Sequence, residues 1–213
     1  TKDSAAVFAL INKADKYLNE ENYDSAIAYC NKAEVMAKAG DYKFGEAYAI
    51  IKAADVYIAK DELDKSEAAA SIVNKLGLQI KDSLITAIGI LQRAQTTMYK
   101  GKYEDAVPLF EKALDYFLAK HPHYYSALAY NDLGYTWGAI GDHSRQAESL
   151  LKAISMYEKY FPNDHANYAS SLNNLSAVYY SINDRTKAIE FARKSLELRE
   201  KTGNINSIAL CAC

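Results

Sequence analysis

The sequence predicts an all-α fold of five stacked helical hairpins, and three observations carry that expectation. Gly and Pro are scarce, nine and three among 213 residues, about half their usual share, which leaves too few turns for a β-sandwich or barrel. Apolar residues recur at spacings of three and four, the period of a helix with one buried face. The chain also repeats itself: Ala26, Ser66, Ala106, Ala147 and Ala188 are spaced 40, 40, 41 and 41. A repeat of that length is one supersecondary unit stacked on copies of itself.

The first helix of each copy is marked by three columns. An apolar position reads Leu10, Ile50, Ile90, Tyr130 and Leu172; four residues on, a small one reads Ala14, Ala54, Ala94, Gly134 and Ser176. Three further along stand Tyr17, Tyr57, Thr97, Trp137 and Tyr179. A small residue one turn from a ring lets two helices approach while the ring fills the space beside the contact. The second helix starts near the Ala26 column and packs through positions four and seven beyond it: Cys30 and Ala33, Ala70 and Val73, Phe110 and Ala113, Leu151 and Ile154, Ala192 and Ser195.

Turns between the two helices are expected at Asn19–Asn22, Lys60–Glu62, Lys100–Lys102, Ile140–Asp142 and Ile182–Asp184, where Gly or Asn suits a left-handed helix end. Connections between copies are expected at Ala39–Asp41, Leu76–Leu78, Lys120–His123, Phe161–Asp164 and Thr202–Asn204. Pro122 and Pro162 stop the helices before them. Pro108 falls inside a helical stretch, close to its first turn if that helix begins near Glu104. The extra residue of the fourth copy is expected around Asp142–Gln146. The copies then run over about 5–40, 41–79, 80–121, 122–163 and 164–203. Residues 204–213, with the apolar string Ile205–Cys213, read as a truncated sixth copy and predict that the natural protein continues. With no linker or shift in composition, 1–213 reads as one solenoid.

These columns, small-x-x-aromatic followed by Gly and then Tyr-x-x-Ala, resemble the tetratricopeptide repeat (TPR). The best copies are Ala94–Ala113, containing Gly101-Lys102-Tyr103-Glu104-Asp105-Ala106, and Leu172–Ser195. The string Ser171–Tyr180 followed by Lys187-Ala188-Ile189-Glu190 is similar to the longer kinesin-light-chain variety. The resemblance covers residues 5 to 203 and implies a right-handed α-α superhelix whose first helices line a concave groove that holds protein or peptide segments. It also brings to mind the sensor halves of bacterial regulators, whose output domain would lie outside this chain.

Positions between the packing columns of the first helices are expected to face that groove: Asn12, Asp15 and Asn19; Lys52 and Asp55; Gln92, Gln95 and Tyr99; Asn131 and Tyr135; Asn173, Ala177 and Tyr180. Amides donate to and accept from a peptide backbone at once, and a phenol offers a flat face with a polar tip. The family's carboxylate clamp for acidic chaperone tails is absent, its places reading Ile11, Asp15, Lys52, Ile88 and Gln92.

Other classes of function find little support. A net charge of −2 argues against nucleic acid as the partner, and no apolar run is long enough to insert into a membrane. Cys30, Cys211 and Cys213 are too few for a disulfide framework, and four scattered His make no metal set, so neither a cofactor nor a metal is expected. No phosphate loop or nucleophile elbow is present, so the chain is expected to be a binding scaffold rather than an enzyme. Exposed array ends would permit a homodimer. The compartment stays open between cytoplasm and, after removal of a leader, periplasm.

Overall fold

The computed structural model describes residues 2–119 and 123–201, leaving aside the side chains of Lys2 and Asp3. The expected sixth copy over 204–213 and the ends of two connections, 120–122 and 202–204, lie outside the described residues. Ten α-helices fill the described chain, and no strand occurs among the described residues. They are α1 (Lys2–Asn19), α2 (Tyr23–Ala39), α3 (Lys43–Ala59), α4 (Leu63–Gln79), α5 (Ser83–Tyr99), α6 (Tyr103–Leu118), α7 (Tyr124–Ile140), α8 (His143–Tyr160), α9 (His165–Ser181) and α10 (Arg185–Lys201). Two compact units divide them, the first ending at Tyr116 and the second beginning at Phe117. From α1 to α5 and from α7 to α10 each helix packs on its successor, and alternate helices also touch: α1 with α3 and α3 with α5 in the first unit, α7 with α9 in the second.

One turn design closes most of the helices. A residue with positive φ recurs every 20 positions at Glu21, Asp41, Asp61, Lys81 and Gly101, then at Gly141 and Asn183. At each, two backbone bonds fold the chain back on the helix it leaves; Asp61 N–H donates to Ile58 and Glu62 N–H to Tyr57, at 3.0 and 2.8 Å. This is the Schellman arrangement, which satisfies the last carbonyls of a helix. The residue after the left-handed one opens the next helix, and Asn22, Asp82, Asp142 and Asp184 each accept a backbone N–H with the side chain. A three-residue connection thus both ends one helix and starts the next.

Three expectations are corrected. The connection between the second and third copies lies at Ile80–Asp82, not Leu76–Leu78. Gly77 is buried inside α4, where a Cβ would run into the Thr86 backbone; its role is close approach of two helices. Secondly, Gln146, not Ala147, takes the small-residue place of the fourth copy. Gly138 has no side chain where Gln146 lies, and Leu150 and Ala153 are fully buried while Leu151 is 45% exposed. Both helices of every copy then share spacings of 40, 40, 40 and 42, and the two additional residues fall after that point, towards the connection Phe161–Asp164, instead of in Asp142–Gln146. Thirdly, α6 begins at Tyr103, so Pro108 is its sixth residue, past the first turn.

The remaining columns pack as their spacing requires. Ala14, Ala26, Ala33, Ala54, Ala94 and Ala106 have no exposed surface, and rings close beside them, Tyr17 stacked on Tyr29 and Tyr179 on Phe191 with centroids 5.4 Å apart in both pairs.

Candidate functional site

The alternate helices α1, α3 and α5 each present the residue two places before their small-residue column: Asn12, Lys52 and Gln92. In the first unit Lys52, Gln92 and their neighbours bond to one another. Lys52 Nζ lies 2.6 Å from Asp15 Oδ1 on α1 and 3.0 Å from Asp55 Oδ2 on its own helix. Asp55 Oδ1 accepts from Gln92 Nε2 on α5 at 3.3 Å, and the same amide donates to the Ile51 carbonyl at 2.7 Å. The result is a polar ladder that crosses three helices. Burial opposes the charge of Lys52, but Asp55 and Asp15 outweigh it and raise its proton affinity far above that of a free lysine.

Gln92 is only 2% exposed, so it forms part of the floor. Asn12 and Asn19 are exposed, and Asp15, Asp55 and Gln95 half-buried. Tyr99, at the end of α5, is 57% exposed. Ile11 and Ile88, two of the clamp places, are core residues.

In the second unit α7 and α9 are joined in the same manner. Asn131 Oδ1 accepts from Ser171 Oγ at 2.9 Å and from Asn174 Nδ2 at 3.4 Å, while its own Nδ2 donates to Asp132 at 3.3 Å. Asn131 and Asn173 are half-buried, Ala177 is exposed, and Tyr135 and Tyr180 are 50% and 71% exposed. The amides therefore tie helices together, and the three phenols stand out of the surface. With the 40-residue spacing, the positions equivalent to Lys52 and Gln92 are Asp132 and Asn174. Sequence reasoning did not use those two as groove positions, because it chose Asn131 and Asn173, whose places in the first three copies hold the buried Ile11, Ile51 and Leu91. The column spacing itself was the signal.

The histidines do not converge. His123 opens α7, His143 Nδ1 sits 3.1 Å from Gln146, and His165 starts α9; His121 lies outside the described residues. Among the described residues no group of three His, Cys, Asp or Glu is placed to hold a metal ion, and no helix is long and apolar enough to cross a membrane. Cys30 is 1% exposed, and burial pushes its thiol up to about 12.

With this geometry the comparisons fall into place. Residues 147–201 match the family model of the tetratricopeptide repeat, and the chain is an all-helical repeat protein of TPR-like fold. Among solved structures, a Rap protein complexed with competence and sporulation factor superimposes with a TM-score of 0.81 at 16% identity, over 96% of this chain and 62% of that one. BtubC (BKLC) from P. vanneervenii gives 0.73 at 20% identity over 95% and 83%. The apo quorum sensor NprR from B. thuringiensis gives 0.73 at 15% over 97% and 57%. No curated protein sequence matches the chain.

Proposed function

We propose that the chain is a protein- or peptide-binding scaffold that works without catalysis and takes an extended segment on the surface of alternate helices within a unit, α1, α3 and α5 in the first or α7 and α9 in the second. The observation that carries this reading is the division of labour on that surface. Ladders of Asp15, Lys52, Asp55 and Gln92, and of Asn131, Ser171 and Asn174, hold adjacent helices in place, while Tyr99, Tyr135 and Tyr180 on these helices keep half or more of their area open. A rigid polar floor set with phenols offers large contact area at low entropic cost. The contact set is that named from the sequence, Asn12, Asp15, Lys52, Asp55, Gln92, Gln95, Tyr99, Asn131, Tyr135, Asn173 and Tyr180, with Gln92 acting from below. The Rap fold found with a bound factor supports the same reading by analogy of fold.

A second reading is supported by the fold shared with the quorum sensor NprR, of which this chain spans 57%: the chain is the sensing half of a bacterial regulator. A reading frame that places a DNA-binding or kinase segment beside this one supports it. The first reading is tested by selecting binders for the chain from an unbiased display library of extended peptides. Tyr99→Ala, Tyr135→Ala, Tyr180→Ala and Asn173→Ala are expected to weaken the selected peptides while leaving helicity unchanged. Affinity unaltered in all four would overturn it.

A further inference from the structure

A cavity of about 610 Å³ opens in the first unit between α4, α5 and α6, bounded by Ser71, Asn74, Arg93, Leu109 and Lys112 among others. Its polar lining departs from the repeat. Arg93 is exposed at a place where Ala53, Leu133 and Leu175 are buried, and Asn74 stands where Leu114 and Ile154 are buried. Two places that hold core residues in several other copies are thus polar here, as they are at Lys13 and Glu34 of the first copy, and the space they would close is open. Gly89 brings α4 against α5 at the cavity's base, because a Cβ there would meet the Asn74 backbone.

The charges are arranged as unusually as the shape. Asp64 and Glu67 also border the cavity, but Lys100 engages both, at 2.7 and 2.6 Å, and lowers the proton affinity of each carboxyl. Two cations remain. Among the described residues neither Arg93 nor Lys112 comes within ion-pair distance of a carboxylate, although the charge of Arg93 is felt at Glu67. For Lys112 the cause can be read off the repeat: its counterparts Lys152 and Lys194 each close on a glutamate one turn back, Glu148 and Glu190, both at 2.7 Å. Pro108 occupies that place on α6. The rings over which Lys32 and Lys194 lie, Tyr29 and Phe191, are replaced by Leu109. A residue that costs a helix hydrogen bond therefore stands where it leaves a lysine without its usual partner, beside an arginine in a core column.

We propose that this cavity binds a small molecule through a carboxylate or phosphate group held between Arg93 and Lys112. The planar guanidinium fork matches either anion with two parallel bonds and the ammonium adds a point charge. Ser71 Oγ supplies a further donor at the rim, and Leu109 and Ile90 border the remaining space for an apolar body. The volume is that of an ordinary ligand pocket. Because the site lies apart from the ladder residues, its occupancy is independent of the peptide reading.

Amide NMR titrations with inorganic phosphate and with succinate, each against sodium chloride at equal ionic strength, test the site. Saturable shifts centred on residues 67–74, 90–94 and 109–112 are expected from at least one of the two anions, and the one that saturates names the group. Arg93→Gln and Lys112→Gln are each expected to weaken that binding at least about fivefold, Lys112→Arg to retain it, and all three to melt like the parent, since neither side chain is paired within the fold. Shifts that grow without saturation, that follow ionic strength alone, or that persist in both Gln variants overturn the proposal.

Discussion

Lys52 lies between two carboxylates, with only 20% of its side chain exposed. Replacing it by Met leaves Asp15 and Asp55 without their shared cation, and removal of one partner from a mostly buried pair is costly. Lys52→Met is expected to lower stability by about 2–3 kcal/mol in urea titrations, and Asp15→Asn by about 1 kcal/mol, since Lys52 then keeps Asp55. Tyr157 presents the opposite case. It is fully buried, and its hydroxyl finds no partner among the described residues. Burial, then the neighbouring Tyr124, Asp164 and Asp132, hold it protonated well above the usual tyrosine range. A buried hydroxyl without a bond stabilises nothing, so Tyr157→Phe is expected to be neutral or to raise stability by up to about 1 kcal/mol, measured by the same titration. A loss of more than about 1 kcal/mol would show that the hydroxyl has a partner. Residue identity alone was a poor guide at this scale. Gln92 reads as a groove ligand because it is polar, yet its amide is used on Ile51 and Asp55, and polar character does not tell a floor from a face.

At the scale of the element, the regular turn makes a prediction with a sign. Gly101 and Gly141 carry the left-handed conformation without a Cβ, whereas Asp61 adopts it with one. L-residues are strained there by about 1 kcal/mol. Asp61→Gly is therefore expected to stabilise by about 0.5 kcal/mol and Gly101→Ala to destabilise by about 1 kcal/mol, with thermal melts as the check. The start of α7 is expected to be sensitive to pH. His123 Nδ1 accepts the Tyr125 N–H at 3.3 Å, and its ring stacks against both Phe117 and Tyr125, which also stack on each other. Burial lowers its proton affinity, so the cap's contribution is complete above about 6.5, the ordinary histidine value, and is lost as pH falls through the lower folded value. His123→Asn, a cap that does not titrate, is expected to lose less stability than the parent between pH 7.5 and 5.5. Helix positions and most turns were legible because apolar period and turn residues agree. The fourth copy was misread by one residue: Ala147 looks like the column residue, and only the facing Gly138 shows that Gln146 fits there.

For the whole molecule, the fold was legible in spacing rather than in identity. Solved structures with 15–20% identity share it over nearly the entire chain, since what each copy must keep is a set of small and apolar columns 40 residues apart. The same property hides the site. Positions outside the columns are free to vary, so Asp132 and Asn174 are found by counting from Lys52 and Gln92 and not by their residue type. The Arg93 cavity is visible in the sequence only when copies are compared, as two places that are apolar in the later copies and polar here. The proposed binding face is the surface of the alternate helices, and a photo-reactive residue tests that most directly. Installed at Tyr180 on α9, 71% exposed, and separately at Ile189 on α10, 60% exposed, it should cross-link the selected peptide from position 180 and not from 189. Cross-linking from 189 with none from 180 would contradict the proposed binding face.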